Sequence, residues 1–201
     1  MKKVMMMMLA LVLTTGATAQ ESRDAQAVIN NIMTRTSVRK YTQETVSKEN
    51  IKTMLRAGMA APTAVNKQPW HFVVVTDREQ LNALAAANRG SGMAAKAPLA
   101  IVVCGDMEKA LPGTGRGFWV QDCSAATENI LLAAHALGLG AVWTGLYPNE
   151  ERANAIREIL KAPEHIVPLC TIVIGHPQEQ PQPKDKWKPE NVSYNKFGAA
   201  K

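Results

Sequence analysis

The sequence predicts a single α+β domain in which a mixed sheet lies among helices. Segments with strand character are interspersed with helical segments without strict alternation, which distinguishes this class from a doubly wound α/β fold. No G-x-G-x-x-G turn follows a predicted strand, and no G-x-x-x-x-G-K-[ST] loop is present, so dinucleotide and nucleoside triphosphate folds are disfavoured. A chain of 201 residues is long enough to bury a proper hydrophobic core.

The first predicted helix covers residues 25–33, and an arginine-rich loop follows it. Ser47 is a favourable N-cap for a second helix that continues to about residue 60. Ile51, Met54, Leu55 and Gly58 recur on one face of that helix. Pro62 ends it, because proline cannot continue a helix and also restricts the residue before it.

A valine-rich strand is predicted over residues 71–76, and its unbroken apolar pattern indicates burial on both faces. Asp77 and Gln80 form a capping box for a helix to about residue 88. A Gly/Ser loop at 89–92 then leads toward a strand over 99–104.

Residues 113–117 are glycine-rich and predict a flexible surface loop, with a lid on the substrate side as the alternative. The longest helix is predicted over 119–137 and ends at Gly138, as a C′ glycine would end it. Its middle, 125–136, is apolar nearly all round, so we expect a buried central helix. A short strand over 141–144, a helix capped by Asn149 to about residue 161 and a strand over 166–174 complete the domain.

After Gly175 the composition shifts to an extended arm that contains Pro177, Pro181, Pro183 and Pro189. The arm has few apolar residues of its own, so we expect it to gain order by lying on another surface.

The first 19 residues predict a secretory signal rather than part of the fold. Lys2 and Lys3 precede an apolar run over 4–12, and Ala17-Thr18-Ala19 forms an A-x-A cleavage site. The apolar run is too short to span a membrane, although a membrane anchor or a buried first helix is the alternative. We therefore expect an exported, periplasmic protein whose domain covers residues 20–201, without stable membrane insertion after cleavage.

The charge and the reactive side chains exclude several classes of function. Removal of Lys2 and Lys3 lowers the formal charge from +6 to +4, and aromatic residues make up only 5% of the chain, so nucleic-acid binding is not expected. Three cysteines, an odd number in apolar stretches, predict buried thiols. The four histidines show no metal-ligand spacing. Cys123 and His135 fall on one helix about 18 Å apart, too far for a nucleophile and base.

Residues 35–41, Arg-Thr-Ser-Val-Arg-Lys-Tyr, are called here the arginine segment. They combine two guanidiniums, one ammonium and short hydroxyl donors, which suits a phosphate-bearing ligand. A solvated basic surface patch is the alternative interpretation of this segment.

Three further motifs follow in order: Pro62-Thr63-Ala64-Val65-Asn66-Lys67-Gln68-Pro69-Trp70, then Gly138-Leu139-Gly140, then the basic pair Lys184-Asp185-Lys186. With these motifs the chain resembles the nitroreductase family, flavin enzymes that bind FMN in a dimer interface. The resemblance covers residues 32–197. It implies a mixed, mainly antiparallel sheet flanked by helices, with the C-terminal arm lying on the partner subunit of a homodimer.

The resemblance also implies which residues contact FMN. Arg35, Thr36 and Ser37 hold the phosphate and ribityl end, and Arg39 reaches the pyrimidine edge of the ring. Lys184 and Lys186 close on the phosphate, although Lys186 stands where the family often has arginine and offers a point charge instead of a fork. The turn of the other subunit contributes Pro62, Thr63, Ala64, Asn66 and Gln68. The segment with Thr144 and Gly145 faces the ring near N5. Trp70 is interpreted as a core or interface anchor.

The implied function is an FMN-dependent oxidoreductase with ping-pong chemistry. Hydride would come from NADH, NADPH or another donor and leave from flavin N5 to a nitroaromatic, a quinone or a similar acceptor. This function requires no general acid or base from the protein. A non-enzymatic flavin-binding or carrier protein of the cell envelope is the alternative, and an unrelated binder of phosphate-bearing ligands is a third possibility.

Overall fold

The structure is a computed structural model that describes residues 23–198. Its elements, in chain order, are α1 (23–34), α2 (Lys48–Met59), β1 (Trp70–Val75), α3 (Arg78–Ala87), β2 (Leu99–Asp106), α4 (Phe118–Ala136), β3 (Gly140–Gly145), α5 (Glu150–Ile159) and β4 (Ile166–Gly175). Short 3-10 helices occur at Ala64–Asn66, Arg89–Lys96, Gly113–Gly117 and Pro189–Asn191. The predicted signal segment, residues 1–19, lies outside the described residues.

Three helices begin at the caps that the sequence predicts. The side chain of Ser47 accepts a 3.1 Å hydrogen bond from the Asn50 amide, and Asp77 accepts one of 2.9 Å from Gln80. Asn149 caps α5 in the same way. Each cap satisfies an amide that has no partner within its helix, so the local sequence determines where these helices begin.

The four strands form one sheet in the order β1-β2-β4-β3, and every neighbouring pair is antiparallel. The predicted α+β class is confirmed. One parallel pairing occurs among the described residues, as an isolated bridge between Ser37 and Ala141 at the free edge of β3. That bridge joins the arginine segment to the sheet.

Strand β2 divides the core in two. Leu99, Ile101 and Val103 pack on the side of α2 and α4, whereas Ala100 and Val102 pack on the side of α3 and α5. This alternation follows from the two-residue period of a strand. Helices thus cover both faces of the sheet, and β2, which lies between β1 and β4, is buried along its whole length.

Strand β1 corrects one prediction. The sequence predicts a strand buried on both faces, but β1 lies at the edge of the sheet, where His71 is exposed and Val74 is 38% exposed. The apolar run could not distinguish a central strand from an edge strand, because both contain valine-rich sequences. The Gly/Ser stretch after α3 also differs from a plain loop, since it forms the first part of a 3-10 helix.

Helix α4 is the longest element described and buries one side in the core through residues such as Cys123, Ala126 and Ile130. Its other side is also apolar, as predicted, but residues 23–198 cover it only in part. Leu132, Ala133 and Ala136 line an apolar groove of about 530 Å³ between α1, α2 and α4, here called the apolar groove. Across residues 23–198 the structure contains no helix with both the length and the apolar character needed to cross a membrane.

Candidate functional site

The arginine segment is an extended strand-like piece held between two neighbours. On one side, the Val38 amide donates a 3.0 Å hydrogen bond to the carbonyl of Ala141 on β3. On the other side, the arm (residues 176–198) runs beside it: the Thr42 amide donates to the His176 carbonyl, and the Gln178 amide donates to the Lys40 carbonyl. The segment and the first part of the arm therefore form a small antiparallel unit on the edge of the sheet.

Tyr41 and Gly140 hold the arginine segment in place against the sheet. Tyr41 is buried, and its hydroxyl group is within hydrogen-bond distance of the carbonyls of Val38 and Val173. Burial raises the pKa of this tyrosine far above its usual value, so its hydroxyl stays protonated and available as a donor. Gly140 is the second residue. A Cβ at this position would lie 2.6 Å from Cγ1 of Val38, so the glycine allows the arginine segment to pack closely on β3.

The structure also gives a physical reason for the glycine at the end of α4. Gly138 has φ +73°, and the Leu139 amide donates to the Ala134 carbonyl while the Gly138 amide donates to the His135 carbonyl. These are the two hydrogen bonds of a Schellman motif, which needs a left-handed residue at this point. The motif turns the chain so that Gly140 enters β3 against Val38.

A cavity of about 590 Å³ lies between the arginine segment and the arm, and we call it the arginine pocket. Six of the predicted cofactor-binding residues line it: Arg35, Thr36, Ser37, Arg39, Lys184 and Lys186. Residues from opposite ends of the chain thus meet around one cavity. Trp187 and Glu128 also line it, and the sequence did not predict them as site residues.

The arginine pocket has an excess of positive charge. Arg35 Nε lies 3.3 Å from Glu128 Oε1, and this is the one ion pair that the structure records among the lining residues. Arg39, Lys184 and Lys186 have no carboxylate within ion-pair distance among residues 23–198. The cavity therefore holds three cations without a carboxylate partner, together with the hydroxyl groups of Thr36 and Ser37, and this lining suits an anionic ligand such as one with a phosphate group.

The free edge of β3 continues from the arginine pocket. Ala141 accepts from Val38 on the side away from β4, whereas the Leu146 amide donates to Leu169 on the β4 side. Because backbone groups alternate between the two sides of a strand, Trp143 and Gly145 direct their N–H and C=O groups outward with Ala141. Ala141 and Gly145 are about 13 Å apart along the strand.

Thr144 and Gly145, both predicted site residues, are placed differently. Thr144 is buried, its hydroxyl donates a 2.8 Å hydrogen bond to the Thr171 carbonyl, and its backbone faces β4. Gly145 is exposed and has open space where a Cβ would be. Its carbonyl is within 3.5 Å of donors on Asn88 and Arg152, neither of which the sequence singled out. Gly145 is thus the residue of the pair that can offer a backbone amide to a ligand.

The turn over residues 62–68, here the Pro62 turn, has an unusual backbone. Val65, Asn66 and Gln68 all have φ between +50° and +53°, a region that non-glycine residues seldom occupy. Side-chain hydrogen bonds hold it: Thr63 Oγ1 accepts from the Gln68 amide, and Gln68 Nε2 donates to Asn66 Oδ1. Strain of this kind persists where the surrounding structure determines the backbone, and it is concentrated at functional sites.

One chain does not bring the two predicted halves of the site together. None of Pro62, Thr63, Ala64, Asn66 and Gln68 lines the arginine pocket. The turn is held at Asp122 of α4, whereas the arginine pocket contacts Glu128, six residues later on the same helix. Six residues correspond to about 9 Å along the axis and about 240° around it, so the two halves lie on different sides of α4.

The remaining reactive groups are placed as structural residues. Cys104, Cys123 and Cys170 are buried free thiols, as predicted, and burial raises the pKa of Cys104 to about 12. Trp70 is likewise buried in the core. Asp106, Glu108 and His165 come together, but Lys109 Nζ lies 3.1 Å from Asp106 Oδ2 and already neutralises that carboxylate. We assign no metal to that cluster.

Comparisons with known proteins agree with the motifs. The model of the nitroreductase family matches residues 32–94 and 85–176. A Methanothermobacter thermautotrophicus protein named "Putative NADH dehydrogenase/NAD(P)H nitroreductase" is 46% identical over 172 residues, 85% of this chain and 87% of that protein. A crystal structure from Bacteroides thetaiotaomicron that bears the same name is 46% identical with a TM-score of 0.81, covering 85% of this chain and 98% of that one. The structure of a "putative nitroreductase in complex with FMN" from Desulfovibrio desulfuricans is 32% identical with a TM-score of 0.73, covering 85% and 97%.

Proposed function

The chain belongs to the nitroreductase family, and from this membership we propose that it is an FMN-dependent oxidoreductase whose hydride donor is NADH or NADPH. The acceptor class that we propose is a nitroaromatic, a quinone or a similar small molecule. FMN held by the arginine pocket would supply the hydride chemistry, with reduction by the donor and oxidation by the acceptor as two separate, ping-pong half-reactions.

The residues of the arginine pocket fit the phosphate end of FMN, and this is the observation that carries the proposal. A dianionic phosphate requires cations and short donors, and the pocket offers Arg35, Lys184, Lys186 and two hydroxyl groups around about 590 Å³. The outward edge of β3 extends about 13 Å from Ala141, which is bridged to the pocket residue Ser37, to Gly145, a length that suits a ligand with a ribityl chain and a flat ring.

Arg39 has a second role in this proposal. It lines the same cavity but is four residues further along the extended segment than Arg35. A guanidinium at the pyrimidine edge of the ring stabilises the negative charge that reduction places near N1 and the C2 carbonyl. The charge of Arg39 would therefore hold the ring and favour its reduced form.

We propose a homodimer in which two chains share each flavin site. Support comes from the separation of the two halves of the site on α4, because a partner's Pro62 turn can complete an arginine pocket that the chain's own turn does not line. Small side chains and strained backbone in that turn would allow close approach to the ring. In this arrangement flavin binding requires the dimer, because one chain supplies only one half of each site.

Exposed apolar side chains support the same dimer. On α1, Val28, Ile29 and Ile32 are exposed and Met33 is 64% exposed, beside the apolar groove. On the arm, Trp187 is 69% exposed, and Val192, Tyr194 and Phe197 are exposed too. Exposed apolar side chains in this number, with aromatic residues among them, are typical of surfaces that another protein covers. We propose that a second copy of the chain covers it.

Export to the periplasm is also a proposal, and residues 1–19 are its basis. An exported chain that is threaded unfolded would acquire FMN outside the cytosol. Mass spectrometry of the protein from the periplasmic fraction tests it: cleavage after Ala19 supports export, whereas soluble cytosolic protein with an intact Met1 contradicts it.

The visible spectrum of the purified protein tests the enzymatic proposal. We expect absorbance of bound flavin, and loss of that absorbance when NADH or NADPH is added without oxygen. Recovery of the absorbance on addition of a quinone or a nitroaromatic, after removal of the donor, would support two separate half-reactions. A flavin that neither nucleotide reduces would contradict a reduced nicotinamide as donor.

A further inference from the structure

A second cavity, distinct from the arginine pocket, lies between the start of α4 and the exposed side of α5. It has a volume of about 440 Å³ and shares no lining residue with the arginine pocket. Trp119, Tyr147 and residues of β4 form part of its lining, and we call it the aromatic cleft. Its volume falls within the range of cavities that bind small molecules.

The aromatic part of this cleft depends on a glycine in β2. A Cβ on Gly105 would lie 2.3 Å from Cε3 of Trp119, so the glycine allows the indole to lie directly on the strand. Tyr147 then meets Trp119 edge to face, with ring centroids 4.9 Å apart and planes inclined by 67°. Such a pair holds both rings in defined orientations, and Tyr147 remains partly exposed toward the cleft.

Two arginines border the same cleft from different elements. Arg116 belongs to the glycine-rich 3-10 helix before α4, and Arg157 lies on α5. Neither has a carboxylate within ion-pair distance in the part of the chain that the structure describes, and Arg157 Nη1 is 3.5 Å from the Glu164 carbonyl. Glu150 is the carboxylate among the lining residues, so the lining has an excess of one positive charge.

We propose that the aromatic cleft binds a small, flat aromatic molecule that carries one negative charge. The ring would pack against Tyr147, where an aromatic face is available. The anionic group would accept hydrogen bonds from Arg116 and Arg157, whose planar forks suit a carboxylate. Glu150 opposes a second negative charge and so selects monoanions. This assignment gives the glycine-rich 113–117 segment a ligand-binding role through Arg116, and it is independent of flavin binding.

Titration calorimetry of the purified, flavin-loaded protein with 1-naphthoate tests the proposal, with neutral 1-naphthamide as the matched ligand. Neither compound has a nitro or quinone group that the enzyme would reduce. We expect naphthoate to bind at least about tenfold more tightly than naphthamide, the ratio that one charge-assisted interaction provides. Arg116→Gln and Arg157→Gln should each remove most of that ratio.

Two further variants make the test specific. Glu150→Gln should strengthen naphthoate binding, because it removes the one negative charge from the lining. Arg56→Gln, at an exposed position on α2 outside the cleft, should leave binding unchanged. Equal affinity for naphthoate and naphthamide would overturn the proposal. So would an unchanged naphthoate affinity in the Arg116 and Arg157 variants. Loss of naphthoate binding in Arg35→Ala would also overturn it, because the ligand would then occupy the arginine pocket.

Discussion

Asp122 Oδ1 accepts a 2.8 Å hydrogen bond from the backbone amide of Ala64, so a buried carboxylate of α4 holds the Pro62 turn. This turn has three non-glycine residues with positive φ. The hydrogen bond from Ala64 to Asp122 connects the turn to α4. The carboxylate is therefore a structural anchor for the predicted flavin-contacting turn.

Asp122→Ala should weaken that anchor. We expect the free energy of unfolding to fall by about 1–3 kcal/mol, because the hydrogen bond is lost and the Ala64 amide is left without its partner. Urea denaturation measures the change, and flavin content should fall with it. Asp122→Asn is the matched control, since its amide oxygen can still accept from Ala64. An Ala variant as stable as the Asn variant would contradict this role.

Gly140→Ala should displace the arginine segment. The new methyl group would lie 2.6–2.7 Å from Cγ1 and Cβ of Val38, atoms too close to the backbone to move alone. Overpacking of this kind costs about 1–3 kcal/mol, and we expect weaker FMN binding as well. Gly92→Ala is the control, because nothing lies within 4 Å of its Cβ position. Thermal unfolding and fluorescence titration with FMN measure the two effects, and a Gly140 variant that matches the Gly92 variant would refute the prediction.

Gly145→Ala should separate folding from flavin binding. No atom lies within 4 Å of its Cβ position, so the free energy of unfolding should stay within about 0.5 kcal/mol of the wild type. FMN binding should nevertheless weaken, because the methyl group would occupy the space through which the ring approaches the strand edge. Calorimetric titration of the flavin-free protein measures this. Unchanged FMN affinity would mean that the ring does not approach Gly145.

Arg35→Ala should lower FMN affinity at least about tenfold without unfolding the protein, because its proposed partner is the phosphate group. Glu128→Gln is the matched variant: it removes the carboxylate 3.3 Å from Arg35 Nε, so it should bind FMN at least as tightly as the wild type. Salt should weaken FMN binding more than riboflavin binding, since riboflavin has no phosphate. Wild-type flavin content in the Arg35 variant would count heavily against the assigned pocket.

The double variant Trp187→Ala, Phe197→Ala should weaken the homodimer, because both rings are exposed within the chain and we propose that they pack on the partner. We expect at least a tenfold rise in the dimer dissociation constant by analytical ultracentrifugation, with a parallel loss of bound flavin. Asn82→Ala, an exposed change on α3 outside the arm, the Pro62 turn and the apolar groove, is the control. A double variant that remains dimeric and yellow would show that these rings do not anchor the arm.

Much of the local structure follows from the sequence itself. Ser47, Asp77 and Asn149 each accept from an amide three residues later, so a short stretch of chain contains all that is needed to place a helix start. The guanidiniums and hydroxyl groups of the arginine segment favoured a phosphate-bearing ligand because they donate to phosphate oxygens, whereas the matching role of Lys184 and Lys186 came from the family resemblance, and both remain predictions. Glu128 could have been noticed as a carboxylate in an apolar helix.

The tertiary structure decided which groups face one another. Apolar runs report burial but not neighbours, so the sequence could not show that β1 lies at an edge or that the described residues cover one side of α4 only in part. Gly140 is required by Val38, a residue about a hundred positions earlier, and the backbones of Thr144 and Gly145 face opposite sides of β3. The arginine segment and the Pro62 turn are close in sequence, but α4 packs between them. Contacts of this kind depend on the packing of whole elements, which no local pattern encodes.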